Sequence, residues 1–569
     1  MEKDTVQHHS FEPAELVTWP SLLDLIDIKH AFGTPTWIVS EDQLLKNLDA
    51  FAEFTGFKSN VLYPVKANPA FAVLQILAHA GAGADCANQS EVDLALYAGF
   101  TYDRISYNTP APDLKLCMKL LTQGATIVLD DRLTIEQLNS LGSNRANLKG
   151  KILIRVNLER QVGYANEAAN QDLMAHGSAS SKFGIPSEEL IELLAETQLP
   201  ITGLHVHVGT QMDNLSSFDS AVYQMHELAM TLEKNGYTIK DINLGGGLGI
   251  PFDMQQRFPS IKSLTGLLNS KKKETYNYYL EPGHALVGNA VALLTRVLTI
   301  KQSRGKKWVI VDVGTDQLAK VTLLHWPHRI LNPCGEQLKP GIDVIAGPLC
   351  FAGDNLLHDI SAEGLSVDAP LLITEAGAYT FALSNRFNGR LAPAWVVLKG
   401  DNQLVQLMER EGRYDHPQIT GYQWHADLQP TNSQSVPLEQ VFGLSSIYLK
   451  ELAKADAFDY ERVEQLEQGF YQFTIRTKSN VGFISMPFAI RIFGDATIIS
   501  LMHHFGHAKK DVSVWGRRLT LDCFEIIPSN TTLEFTIALS ENKNLEGSNT
   551  VAHFKTLCGM ASGSIVVKV

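Results

Sequence analysis

Several short motifs in this sequence carry side chains that could do chemistry, and the first is Tyr63-Pro64-Val65-Lys66-Ala67-Asn68, where a lysine closes an apolar run read as a strand. Such a lysine can simply be solvated, with its stem along the strand and its ammonium in water. Held partly out of water, it gives up its proton more readily and becomes a nucleophile toward carbonyl groups. Further along, His205-Val206-His207-Val208-Gly209-Thr210-Gln211 sets two imidazoles at strand alternation, and Glu281-Pro282-Gly283-His284 adds a carboxylate. Gly245-Gly246-Gly247-Leu248-Gly249 offers backbone N–H groups that can close on a phosphate where a loop enters a helix. A glycine triplet can equally be a tight turn and a strand histidine a core residue, so the argument rests on the set: each motif falls at the end of a strand.

Read with Asp85 and Glu91 in Ala84-Asp85-Cys86-Ala87-Asn88-Gln89-Ser90-Glu91, Arg155-Val156-Asn157, Ser181-Lys182-Phe183-Gly184, Gly347-Pro348-Leu349-Cys350 and Gly377-Ala378-Tyr379, the motifs stand in a fixed order. In that order they resemble the alanine-racemase-like (fold type III) pyridoxal-phosphate enzymes, in particular the ornithine/diaminopimelate decarboxylase branch, over about residues 30–400. The resemblance implies pyridoxal 5'-phosphate as cofactor and removal of an amino acid's α-carboxylate as the reaction. It assigns Lys66 to cofactor attachment, His207 to stacking on the ring and Glu281 to the pyridine nitrogen, where a carboxylate strengthens the electron sink. Gly245, Gly246, Gly247, Gly283, His284, Thr210 and Tyr379 are the implied contacts at the phosphate end, with Tyr379 supplied by a second domain. Asp85 is implied to position Lys66, with Arg155 and Glu91 in support, and no metal is implied. Cys350 would reprotonate the carbon that loses carbon dioxide, and in the family it comes from the neighbouring subunit, so a homodimer with shared active sites is expected. A racemase on this scaffold would use a tyrosine there instead, and a degenerate, non-catalytic relative would have lost Lys66, Glu281 or Cys350.

Two departures bear on substrate. The arginine usual after Glu-Pro-Gly is His284, so a fixed guanidinium fork for phosphate or carboxylate is missing. The acid usual after the cysteine, which meets a distal ammonium, is Phe351. Asp354 remains as a partner for an amine, and Phe387 resembles the aromatic that lines the substrate's aliphatic chain. These changes favour a larger or less cationic distal group, such as an amino acid conjugated through its side chain, over meso-diaminopimelate.

The elements that must hold these residues follow from the hydrophobic rhythm. From about residue 36 to 295 short β-rich runs, beginning at Thr36–Val39, alternate with amphipathic helical stretches in about eight units, the size of an α/β (β/α)8 TIM barrel whose reactive groups sit at strand ends. Residues 1–35 are expected to join the following domain, a C-terminal β-barrel domain over 296–400. Polar, turn-rich 401–436 reads as a linker. Residues 437–569 show one apolar helix, Phe493–Phe505, followed by long strands from Arg518 onward, which suggests an α+β hotdog-like domain. That domain would bind or hydrolyse an acyl thioester, carried by coenzyme A or an acyl-carrier protein, or else serve dimerisation. Asp495, His503, His504 and His507 are its candidate polar groups.

Composition sets the frame. The 569 residues suffice for two to four domains, 45% are hydrophobic and 19% charged, and the net charge is −13 with no basic block longer than Lys271-Lys272-Lys273. Nucleic acid is therefore not an expected partner. No basic leader with an apolar core and no membrane span is read, and six scattered cysteines fit reduced thiols, so a cytoplasmic protein is expected.

Overall fold

The eight strands of the barrel are short and mostly buried, as a parallel sheet covered by helices requires. They are β1 (Leu62–Pro64), β2 (Gly83–Cys86), β3 (Ile105–Asn108), β4 (Thr126–Leu129), β5 (Ile152–Asn157), β6 (Ile201–His205), β7 (Asp241–Asn243) and β8 (Asn277–Tyr279), each hydrogen-bonded in parallel to the next. Closure comes from Leu62, whose N–H donates to the Leu280 carbonyl at 2.8 Å, and from the Leu280 N–H, which donates to Asn60 at 3.1 Å. This computed structural model describes residues 10–19, 22–140, 147–158, 181–207, 209–252, 256–400, 404–408, 434–435, 457–467, 469–478, 486–504, 515–523, 532–542, 549–556 and 561–568.

The helices between strands are cut to length by their own ends. In Leu114–Gln123, Asp113 accepts from the N–H groups of Lys115 and Leu116, and Gly124, at φ 104°, turns the chain in a left-handed conformation that glycine adopts without strain. Leu116, Cys117, Leu120 and Leu121 bury one face against the barrel.

A second sheet is built on the long strand Val291–Ser303. Beside it lie Thr36–Ser40, Lys306–Val311 and Pro370–Ile373, and Ala394–Leu398 pairs in parallel with Thr36–Ser40. Two expectations are corrected here. Thr36–Val39 is not the barrel's first strand: Trp37 stacks on Trp395 with centroids 5.3 Å apart and Phe381 packs edge-on to both, so this run is fully buried in the other sheet. A short apolar run carries the same pattern in either sheet, and its partners are distant in sequence. The segment read as linker from residue 401 also contains the strand Leu404–Met408, paired antiparallel to Ala394–Leu398; most of the remaining linker lies outside the described residues. Near the N-terminus, Leu25 and Ile28 of the helix Leu22–Phe32 pack with Ile38, Ala292, Leu372 and Val396.

The chain divides into two compact units, residues 1–416 and 417–569. In the second, described residues form an antiparallel sheet in the order Gln434–Ser435, Ala457–Glu467, Phe470–Lys478, Thr532–Asn542, Asn549–Thr556, Ala561–Lys568, Trp515–Cys523. Its helix runs from Met486 to His504, starting well before the expected Phe493, because Pro487 falls in the first turn, where a missing N–H costs nothing. Phe493 stacks on Phe554 at 4.2 Å and meets Phe535 edge-on. The hairpin of Ala457–Glu467 and Phe470–Lys478 escaped the sequence reading, although Tyr471, Phe473 and Ile475 alternate inward in its second strand. Among the described residues no helix is long and apolar enough to cross a membrane.

Candidate active site

Lys66 sits in a single 3-10 turn directly after β1, with Val65 and Ala67 on either side fully buried. Its own side chain is 46% accessible, so it faces an opening at the strands' C-terminal ends. Nζ is 2.7 Å from Asp85 Oδ2 at the end of β2, a carboxylate with no exposure. Burial works against the ammonium, yet the charges of Asp85 and, further off, Glu281 outweigh it and hold Lys66 above the usual lysine range. The sequence suggested a partly desolvated, neutral amine; the structure instead pairs it. Asp85 is pushed up by burial despite the attraction of Lys66. The pair therefore shares a proton that Asp85 can keep when Lys66 must act as a free amine.

Glu281 follows β8 and is buried. Its Oε2 is 3.1 Å from His205 Nε2 and its Oε1 accepts from Asn243 Nδ2 at 2.7 Å. Burial alone would raise its carboxyl, but His205, with Lys66 and Asn243 behind it, reverses the direction and keeps it ionised. Neither His205 nor Asn243 was singled out from the sequence. Each ends its own strand, and only the pairing of neighbouring strands brings β6, β7 and β8 side by side.

His207 Nδ1 accepts the Gly246 N–H at 3.0 Å, which fixes the ring's orientation. The glycine triplet proves to be a packing requirement: a Cβ on Gly245, Gly246 or Gly247 would stand 2.0–2.4 Å from the carbonyl oxygens of Val206, Glu281 and Gly209 respectively. The Gly245 N–H goes to Asn243 Oδ1 and the Gly246 N–H to His207, so two of the three amides expected to close on a phosphate are already committed. Gln211 ties this loop down by donating to the Ile250 carbonyl and accepting its N–H.

The second sheet delivers Tyr379 on a loop that enters the barrel's mouth. Its N–H donates to the Ala67 carbonyl at 2.6 Å, and Asn68 Nδ2 donates to the Gly377 carbonyl at 2.8 Å. Tyr379 itself has a φ of 52°, a left-handed conformation that costs a non-glycine residue roughly 1–3 kcal/mol and persists where surroundings enforce it. Its hydroxyl stands where a Cβ on Gly283 would be 2.7 Å away, and its ring packs 4.8 Å from that of His284, whose Nδ1 is 3.4 Å from Thr210 Oγ1. Arg155 is buried with its guanidinium 4.2 Å over the Phe183 ring and 3.8 Å from Asp130. Glu91 accepts the Ala87 N–H in the first turn of Gln89–Ala98, where Asn88 accepts the Glu91 N–H, so it caps a helix while its charge reaches Tyr63 and Tyr379.

Asp354, expected to meet a distal amine, is corrected: it is buried, and its oxygens accept the N–H groups of Thr315 and Leu349, shaping the turn that presents Cys350. Cys350, Phe351 and Phe387 are all exposed, and Asn388 holds the Cys350 N–H at 2.8 Å. In the second unit Asp495 is fully buried and bonded to the Tyr460 hydroxyl at 2.8 Å, and His503 Nδ1 is 3.0 Å from the Tyr471 hydroxyl. His504 is partly buried, and His507 lies outside the described residues.

Asp85 Oδ1, His205 Nδ1, Asn108 Oδ1 and His284 Nε2 are buried with no protein partner. Such atoms are costly when unanswered. Their grouping at the strand ends, around an amine, an ionised acid and a crowded tyrosine loop, fits a polar ring carrying an aldehyde and a phosphate.

Comparison with known proteins agrees. The family described as "Pyridoxal-dependent decarboxylase, pyridoxal binding domain" matches residues 41–288. Diaminopimelate decarboxylase of Archaeoglobus fulgidus is 30% identical over 402 residues, covering 68% of this chain and 93% of the relative, and that of Aquifex aeolicus is 29% identical over 401, covering 69% and 93%. Among solved structures, diaminopimelate decarboxylase from Methanocaldococcus jannaschii in co-complex with L-lysine superposes with a TM-score of 0.60 at 26% identity, covering 69% of this chain and 93% of that one. About a third of this chain lies outside the match to each of these relatives, and more than half lies outside the family's match. On the site's geometry and these likenesses, the chain belongs to the pyridoxal-phosphate-dependent ornithine/diaminopimelate decarboxylase family of fold type III and is an amino-acid carboxy-lyase.

Proposed function

We propose that this enzyme decarboxylates an amino acid whose far end is not a free ammonium, an amino acid conjugated through its side chain. The observation that carries the substrate reading is Phe351, 46% exposed beside exposed Cys350 where the branch places an acid. Asp354 is poorly placed to substitute, because it is 3% exposed and each of its oxygens already serves a backbone amide. Phe387, also exposed, adds a second aromatic for an aliphatic or acyl chain.

Lys66 attaches the cofactor and Asp85 takes up the proton its amine must lose. Glu281, kept ionised by His205 and Asn243, would hold the ring nitrogen, and His207, steered by Gly246, would stack on the ring. Thr210, Gly245, Gly246, Gly247, Gly283, His284 and Tyr379 line the phosphate end, and Arg155 supports the acid cluster. When bound, pyridoxal phosphate supplies the electron sink that lets the bond to the carboxylate break. Cys350, presented from the neighbouring subunit of a homodimer, returns a proton to Cα. The exposure of Cys350, Phe351 and Phe387 in the single chain supports that sharing. The second unit, read as hotdog-like, binds the substrate's acyl part as a coenzyme A or acyl-carrier thioester; its buried Asp495–Tyr460 pair in an apolar core supports a polar role there, and dimerisation is the competing one.

The test is released carbon dioxide, with mass spectrometry of the amine, from free diamino acids and from side-chain and thioester conjugates. Conjugates should turn over faster, and F351E should move preference at least about tenfold toward diamino acids with a free ammonium. Equal turnover of meso-diaminopimelate by the native enzyme, with no shift in F351E, would contradict the substrate reading.

A further inference from the structure

The short helix Ala319–Leu323 of the second sheet's connections carries Lys320, whose side chain is completely enclosed. Its Nζ donates to the Ala378 carbonyl at 2.6 Å and stands 5.1 Å over the Phe252 ring. An ammonium has three hydrogens to give, and among the described residues no carboxylate faces this one. A cation in such a place is normally answered by an anion.

The surroundings indicate where that anion enters. Ala378 immediately precedes Tyr379, the residue whose ring packs on His284 and whose hydroxyl overhangs Gly283. His284 is itself buried, meets Thr210 through Nδ1 and has an unpartnered Nε2. The charge of Lys320 reaches both His284 and His328, and with burial it holds both imidazoles neutral. Lys320, with donors to spare, and His284, with an unpartnered Nε2, therefore lie within electrostatic reach of each other, where the family's guanidinium is absent and two of the glycine amides are spent.

We infer that Lys320, with His284, forms an oxyanion pocket that neutralises the phosphate of the cofactor in place of the arginine missing after Glu-Pro-Gly. The inference rests on the cofactor reading above. Burial lowers the Lys320 ammonium from the usual 10.5 to about 7, so the cofactor-free protein holds it part-charged at neutral pH and a phosphate dianion draws in the remaining proton. The groups it meets are His284 and Phe252 from the barrel and His328 and the Ala378 carbonyl from the second sheet. None of the side chains among them is an acid.

The experiment titrates the cofactor-free full chain with pyridoxal phosphate and, separately, with pyridoxal, which has the aldehyde but no phosphate. The ratio of the two affinities cancels the titration of Lys66. In the native protein the ratio should fall about tenfold per unit as pH rises above about 7, as expected for a single proton taken up with phosphate. K320M should lower the ratio about tenfold or more at pH 7 and flatten its pH dependence, and adding H284R to K320M should restore phosphate preference. Equal losses for both ligands in K320M, without rescue by H284R, would mean a packing role and overturn the inference. An unchanged ratio with a raised KM for substrate would assign the cation to a substrate carboxylate, which also overturns it. Failure of the native protein to bind either aldehyde would instead remove the cofactor reading itself.

Discussion

The acid proposed to face the ring nitrogen, Glu281, is fixed by neighbours that two different strands supply. Glu281 stays ionised because His205 and Asn243 donate to it in a buried place that would otherwise protonate it. E281Q should therefore lower kcat about a hundredfold while the cofactor stays attached to Lys66, a loss of charge at an electrostatic site rather than of binding. Unchanged kcat would remove Glu281 from the ring nitrogen. Lys66, Asp85, His207 and Glu281 were legible in the sequence because each sits in a motif of distinctive composition. His205, Asn243 and Lys320 were not, because their meaning lies in partners 38 to 97 residues away, which no local pattern displays. Asp354 misled for the opposite reason: an acid beside the reactive cysteine looks available until the backbone amides it serves are seen.

The elements divide in the same way. Barrel strands announce themselves by repetition, and β1 to β8 fall where the hydrophobic rhythm put them. The strands Thr36–Ser40 and Leu404–Met408 carry patterns of the same kind, and only their pairing with Ala394–Leu398 shows which sheet they complete. Barrel and second sheet share one apolar core, and near the site their polar links are Asn68 Nδ2 to Gly377 and Tyr379 to Ala67, with Asn68 Oδ1 held locally by the Ala70 N–H. N68A leaves a buried carbonyl and a buried N–H unanswered, so it should cost about 2–3 kcal/mol of stability in denaturant unfolding and loosen the Tyr379 loop, lowering cofactor affinity with it. A midpoint unchanged within error would show that water repairs the join.

At the scale of the whole molecule, Cys350, Phe351 and Phe387 are exposed in the single chain, and the proposed homodimer would bring them to a site in a second copy. Two impaired variants, K66A and C350A, should then complement when co-expressed: random pairing makes half the dimers mixed, each with one intact site, so about a quarter of native activity returns. No recovery would place Cys350 with its own subunit's lysine. The second compact unit, residues 417–569, brings a helix-and-sheet core of its own. All of these readings presuppose one covalent attachment, and borohydride reduction of the purified holoenzyme followed by peptide mapping tests it directly. The pyridoxyl group should appear on the peptide spanning Tyr63 to Asn68, at Lys66, and be absent from K66A; a label on another lysine, or none, would contradict the account.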